Sequence, residues 1–364
     1  MPRLSVSFRT ATTCTVKGRE VVTFGGCDYL GLAHHPAVIE ALRRGVDDYG
    51  LSASASRETT GNTIAHDRLE QRLAEFAGLD SALLVSEGYL ANVTLCQTLV
   101  DRYSVALVDD RAHRSLADAA RAVGMRVLTY PHLDAGAASR LAHANPRAMV
   151  LTDGVFTADG ALAPLPELLA GLPGDGVLVV DDCHGFGVLG PRGRGTLEHF
   201  GLNDPRLIVT TTLAKGIGVY GGAIIGGRDL IMQARGASAY RCVTPIPPAI
   251  AVAAKAALDV HACELALVRR LRANASHMRD RLIERQLSTT DHHPHVPIFA
   301  FTLDSRERMQ TLSDEALAAG FLVPLIEYPG GPAPAYFRLS VSALHESAQI
   351  EALMDCLSAA LAAV

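Results

Sequence analysis

The chain has no tryptophan, only 5% aromatic residues, and no CxxC pair among its seven cysteines. The thiols (Cys14, Cys27, Cys96, Cys183, Cys242, Cys263 and Cys356) are odd in number and scattered. That pattern argues against a disulfide frame or a structural zinc site and fits reduced, cytoplasmic thiols. No apolar run is long enough to span a bilayer, because stretches such as IPPAIAVAAKAAL are broken by proline or lysine. The opening MPRLSVSFRT has no apolar segment, so no secretory leader is expected. There is no basic block and the net charge is −5, which speaks against nucleic acid or an anionic membrane as partner. We find no internal repeat and no low-complexity linker. What is present is 49% hydrophobic and 20% charged residues over 364 positions, with abundant alanine and glycine. This is the composition of a globular α/β enzyme, with length enough for two domains.

From Ala82 onward, short apolar runs alternate with helical patterns. ALLV, VALV, RVLTY, AMVLT, VLVV, LIVTT and GAIIG are continuous rather than alternating, as expected of a mostly parallel sheet covered on both faces. Upstream, residues 37–50 and 63–78 read as amphipathic helices, each closed by glycine. After about Tyr240 the pattern changes to a long helix from Pro247 to near Arg285, then an α+β tail. We therefore expect an N-terminal segment (1–45) packing on the small domain, a large domain (46–240) and a smaller C-terminal α+β domain (241–364).

Sheets of this kind bind ligands at the carboxyl ends of their strands. VLVV runs there into Asp181, Asp182 and His184, and buried charge is costly without a partner. Lys215 follows LIVTT in the glycine-rich stretch TTLAKGIGVYGG. A lysine at a strand end in an apolar setting loses hydration, which favours the neutral, nucleophilic amine. A strand-end lysine and a strand-end carboxylate together suit pyridoxal phosphate, whose aldehyde needs an amine and whose ring nitrogen needs an acid. A metal site at Asp-Asp-x-His is the weaker reading, because no second His or carboxylate cluster has ligand spacing. For the phosphate, SEGYLAN sets Gly88 at a strand-to-helix turn, and Thr212 adds a hydroxyl. Taken by themselves, His113 reads better as a helix cap and Arg338 as a surface strand residue.

Four blocks, DYLGLAHHPAVIEA, TDGVFTADGALAPLPEL, DDCHGFGVLGPRGRG and TTLAKGIGVYGG, resemble the α-oxoamine synthases from about Phe24 to the C-terminus. The resemblance implies the fold of the fold-type I pyridoxal-phosphate transferases, which is aspartate-aminotransferase-like with a mostly parallel seven-stranded sheet. It also implies roles by position. Lys215 would hold the cofactor as a Schiff base, Asp181 would pair with the pyridine nitrogen, and His184 and Thr157 would bond the ring hydroxyl. His113 would stack on the ring. Ser86, Gly88, Tyr89 and Thr212 would hold the phosphate, with Thr244 reaching across from a second subunit of a homodimer. Arg338 would take the amino acid carboxylate, and Cys27, Ser56 and Arg57 would line the substrate. The candidate catalytic residues are thus Lys215, His113, Asp181 and His184. The reaction implied joins an amino acid to an acyl thioester, from acyl-CoA or an acyl-carrier protein, with loss of carbon dioxide to give an α-amino ketone.

The chain departs from that pattern in four places. Cys27 stands where the family has an asparagine, and a thiol is a poor substitute for an amide. SASASRETTG replaces a glycine-rich stretch, so Ala53, Ser54 and Ala55 should narrow the approach of the acyl donor. Glu87 occupies a usual serine position beside the phosphate. The segment before DYLG is short, so a helix that contacts the thioester or the other subunit would be missing. Aldol-type or β/γ-replacement chemistry on the same scaffold, or a non-catalytic module, are the alternatives these changes leave open.

Overall fold

The computed structural model describes residues 4–288, 291–327 and 330–363. The chain divides into two compact units. One comprises His35–Phe156 and Leu162–Glu264; the other comprises the chain up to His34, Thr157–Ala161 and the chain from Leu265 on.

The larger unit is built on seven strands. Their order across the sheet is Ser81–Val85, Gly222–Gly226, Leu207–Thr212, Leu178–Asp181, Ala148–Asp153, Val105–Asp109 and Arg126–Tyr130. Gly222–Gly226 runs antiparallel to both neighbours; the pairings among the remaining five neighbouring strands are parallel. The continuous apolar runs follow from burial on both faces: Leu178, Val179 and Val180 are each 0% exposed. One face packs Leu83, Ala106, Met149 and Val179 against Leu95, Leu99 and Leu116 of the helices Gly88–Leu99 and Arg114–Ala122. Each buried leucine, valine or methionine there contributes roughly 1.5–3 kcal/mol. The two amphipathic helices read from sequence are Pro36–Tyr49 and Ile64–Ala77, each followed by glycine at positive φ.

The smaller unit holds two sheets. One has the strand order Val6–Ser7, Thr13–Val16, Arg19–Thr23 and Phe321–Leu322; the other sets Tyr336–Ser340 between Ile298–Phe301 and Leu325–Ile326. The helix expected from Pro247 to near Arg285 is instead two, Pro248–Cys263 and Leu265–Glu284. Glu264 leaves helical geometry (φ −111°, ψ 52°) without a glycine or proline to announce it. Among the described residues no helix is long and apolar enough to cross a membrane.

Candidate active site

Asp181 ends its strand 5% exposed. Its Oδ1 accepts the Cys183 N–H at 3.1 Å and its Oδ2 accepts from Asn92 Nδ2 at 2.9 Å. Asn92 also donates to Ser115 Oγ (2.9 Å) and accepts from Thr210 Oγ1 (2.7 Å). Ser115 in turn meets His113 Nδ1 at 2.7 Å. His113 caps the helix Arg114–Ala122 through that same nitrogen, and its N–H is shared by both oxygens of Asp153 at 3.1 Å. Its cap position and its place beside Asp181 are therefore one arrangement. Burial, and then the neighbouring Asp181 carboxylate, push Asp153 well above the usual carboxylate range. Burial likewise pulls His113 below the usual imidazole range.

Lys215 follows the adjacent strand, and its Nζ lies 2.8 Å from His184 Nε2. Thr212 Oγ1 accepts from the Ala214 N–H at 3.2 Å and donates to Gly221 O at 3.1 Å, shaping the turn that carries the lysine. Gly88 opens the helix Gly88–Leu99 directly against this turn. A Cβ at Gly88 would lie 3.1 Å from Thr212 Cβ and 3.2 Å from Cys183 Sγ. No side chain caps this helix start, so amides of its first turn remain for an anion. Glu87 at the cap position is exposed and makes no cap bond. Ser86 Oγ donates to Thr244 O of the same chain at 3.4 Å, while Tyr89 is 44% exposed and donates to Asp118.

The SASASRETTG segment is a tight loop. Ser54 takes φ +51°, which glycine adopts freely and serine at a cost of about 1–2 kcal/mol. The Ser56 carbonyl accepts from Thr59 N–H (3.1 Å) and Gly61 N–H (2.9 Å). Arg57, read as lining the substrate, turns inward: its side chain is 5% exposed and binds Glu70 Oε1 at 2.5 Å and Asn62 at 2.7 Å, with its guanidinium over the Tyr240 ring. Glu70 also takes Arg235 (2.6 Å) and the Leu84 N–H (2.9 Å).

Asp182 faces away from Asp181's partners. Its Oδ2 accepts the Thr196 N–H at 2.9 Å, and Gly154, Gly185 and Gly195 surround its carboxyl where any Cβ would collide. Burial raises it to about 7. Two of the five glycines in DDCHGFGVLGPRGRG, Gly185 and Gly195, thus make room for one carboxyl group. A further His/Asp group, Asp109, Asp110 and His132, does have ligand spacing, contrary to expectation. Asp109 is already taken up by His132 Nδ1 and by the Arg111 and Leu133 N–H groups, each at 2.9 Å.

In the smaller unit, Arg338 lies on Tyr336–Ser340 with Cys27 and Tyr29 as polar neighbours. Its Nε donates to Thr157 O at 2.6 Å, and its Nη2 is buried with no hydrogen-bond partner among the described residues. Ser340, on the same strand face, donates N–H to Phe24 O at 2.6 Å and Oγ–H to Gly26 O at 2.5 Å, drawing the Cys27 segment alongside.

Asn92, Ser115, Thr210 and Asp153 were missed from sequence; a polar residue inside a helix or strand end carries no local signal of burial. The larger unit's donor set suits pyridoxal phosphate. An amine stands at one strand end, a hydrogen-bonded carboxylate at the next, and a helix start without a cap begins at Gly88, where a Cβ would crowd Thr212 and Cys183.

The family model for aminotransferase class I and II matches residues 19–357. An 8-amino-7-oxononanoate synthase of Thioalkalivibrio sulfidiphilus is 40% identical over 356 residues, covering 94% of this chain and 88% of that one. One from Methylococcus capsulatus is 40% identical over 359 residues, covering 96% and 92%. Among solved structures, serine palmitoyltransferase of Sphingomonas wittichii superposes with a TM-score of 0.91 at 25% identity, covering 97% and 90% of the two chains. The 8-amino-7-oxononanoate synthase of Francisella tularensis gives 0.83 at 23%, a likeness of fold, covering 94% and 98%. The likeness of the four sequence blocks is borne out, and the chain belongs to the aminotransferase class I and II family, within its α-oxoamine synthases.

Proposed function

We propose that this chain is a pyridoxal-phosphate-dependent C-acyltransferase. It joins the α-carbon of an amino acid to the carbonyl carbon of an acyl thioester; the thiol leaves, the amino acid's carboxyl departs as carbon dioxide, and an α-amino ketone remains. The 7-oxo and 8-amino groups in the relatives' product name are such a vicinal pair. The observation that carries the reading is the pairing of Lys215 and Asp181 on adjacent parallel strand ends, with Asp181 fixed by Asn92.

When bound, pyridoxal 5′-phosphate supplies an electron sink for the pair left on the α-carbon. Asp181 would hold a proton at the ring nitrogen. Lys215 Nζ would hold the cofactor between turnovers and, once freed, carry the α-proton, with His184 Nε2 beside it. Gly88 N–H and the first-turn amides would bind the phosphate. Arg338 would orient the amino acid's carboxylate, a fork-to-fork contact for which its partnerless Nη2 is suited. Thr157, His113, Ser86, Tyr89 and Thr212 would complete the cofactor contacts, and Cys27 and Ser56 the substrate's. Arg57 would act through the loop it braces. The enzyme is further read as a cytoplasmic homodimer whose Thr244 serves the partner's phosphate, with CoA or a carrier protein as the thiol.

The test is a matrix of glycine, alanine and serine against acyl-CoA and acyl-carrier donors, read by mass, free thiol and carbon dioxide. Thiol and carbon dioxide released in step with an amino ketone support the reading. A spectral response to an amino acid without thiol release would instead favour aldol or replacement chemistry.

A further inference from the structure

The hydrogen bonds around Asn92 can be assigned a direction. Thr210 Oγ1 donates to Asn92 Oδ1 at 2.7 Å, so the amide NH2 faces Asp181 Oδ2 and Ser115 Oγ, each at 2.9 Å. The reversed amide would set its oxygen against the carboxylate, acceptor against acceptor. The Asn92 NH2 that donates to Ser115 Oγ cannot accept, so of these two partners only His113 Nδ1, 2.7 Å away, can take the Ser115 hydroxyl proton. The Ser115 N–H also points at that nitrogen, at 3.3 Å. Two donors converge on Nδ1, so a neutral ring carries its proton on Nε2.

We propose that Asn92 is a positioning residue that sets the direction of this chain and so holds His113 neutral, with the proton on Nε2. The titratable groups that face His113 are Asp181 on its strand, Lys215 beyond the next, Asp118 on its own helix, and Asp153 under its backbone N–H. Asp181 and Asp118 favour the cation; burial and Lys215 oppose it. The chain from Asn92 adds a structural reason for neutrality, because protonating Nδ1 would drive one proton against another. A cationic His113 would compete for the Asp181 carboxylate, so a neutral ring reserves that carboxylate for the ring nitrogen. This consequence rests on the function proposed above; the tautomer does not.

The test uses the full chain labelled with ¹⁵N-histidine, with cofactor bound and again after its removal. Long-range ¹H–¹⁵N spectra across pH report which ring nitrogen carries the proton, and His113→Gln assigns the signal. Wild type should show Nε2–H and titrate below the ordinary histidine value of about 6.5. In Asn92→Leu the Ser115 hydroxyl loses the donor that orients it, so an Nδ1–H population should appear and the titration rise by about one unit, a tenfold shift; a folded Asn92→Leu with both unmoved overturns the role of Asn92. Ser115→Ala should move it the same way by less, and it reads the chain even if Asn92→Leu fails to fold. A wild-type ring protonated on Nδ1, or a tautomer and titration unmoved in Ser115→Ala, overturns the proposal. Loss of acyl transfer with the tautomer intact would instead count against the proposed reaction.

Discussion

Lys215 Nζ and His184 Nε2 stand 2.8 Å apart, each just beyond the end of one of two hydrogen-bonded parallel strands. An amine and an imidazole at that distance can pass a proton without moving backbone. Lys215→Ala should abolish turnover while the phosphate contacts still retain some cofactor. Borohydride treatment and peptide mapping should find the pyridoxyl adduct on Lys215 in wild type, and an adduct on another lysine would contradict the assignment.

Asp181→Ala removes the acceptor for Asn92 and the acid proposed for the ring nitrogen. Turnover should fall by on the order of a hundredfold or more, as when one preorganised electrostatic partner is removed. Cofactor retention after desalting should fall with it. Near-normal turnover would remove the proposed role of Asp181.

Asp182 is raised by burial from 3.8 to about 7, so the folded chain binds more protons than the unfolded chain between those values. Stability from this group is therefore full below about pH 4 and is lost as pH rises toward 7, by at most roughly 4 kcal/mol. Asp182→Asn keeps an acceptor for the Thr196 N–H and should flatten that slope. Urea midpoints at pH 5 and pH 8 measure it; an unchanged difference between them would mean the carboxyl is ionised throughout.

His345 behaves in the opposite sense. It is 2% exposed, accepts the Ser342 N–H on Nδ1, and burial lowers it from 6.5 to about 4. The unfolded chain binds more protons in that window, so stability is lost as pH falls from about 6.5 toward 4, by roughly 3 kcal/mol. Hydrogen exchange of Tyr336–Ser340 and Arg19–Thr23 should accelerate on acidification, and His345→Gln should blunt the effect. Exchange rates independent of pH after correction for chemistry would refute it.

Lys215, Asp181 and His184 were legible because a charged residue at the end of a continuous apolar run needs an explanation, and the topology supplies one at the carboxyl ends of parallel strands. The two early helices were legible from period and terminal glycine. Glu264, which breaks the expected long helix, has no sequence signal, because neither glycine nor proline marks the break. The inward turn of Arg57 was not legible either: nothing in a polar loop shows that Glu70, on the helix Ile64–Ala77, draws the guanidinium inside. Asn92 sits among apolar neighbours in YLANVTL, and nothing local says that it bonds three partners from other elements.

The backbone that departs at Thr212 returns at Gly222, its direct ladder partner, and Gly222 in turn faces Val85. The lysine is thus carried on a tethered hairpin with both feet nailed to the sheet, where a freely swinging lid would need slack. The lysine side chain can then reorient by rotations about its own bonds, which take picoseconds to nanoseconds, without a slower loop excursion. Its amine stays in reach of the neighbouring strand end at every stage.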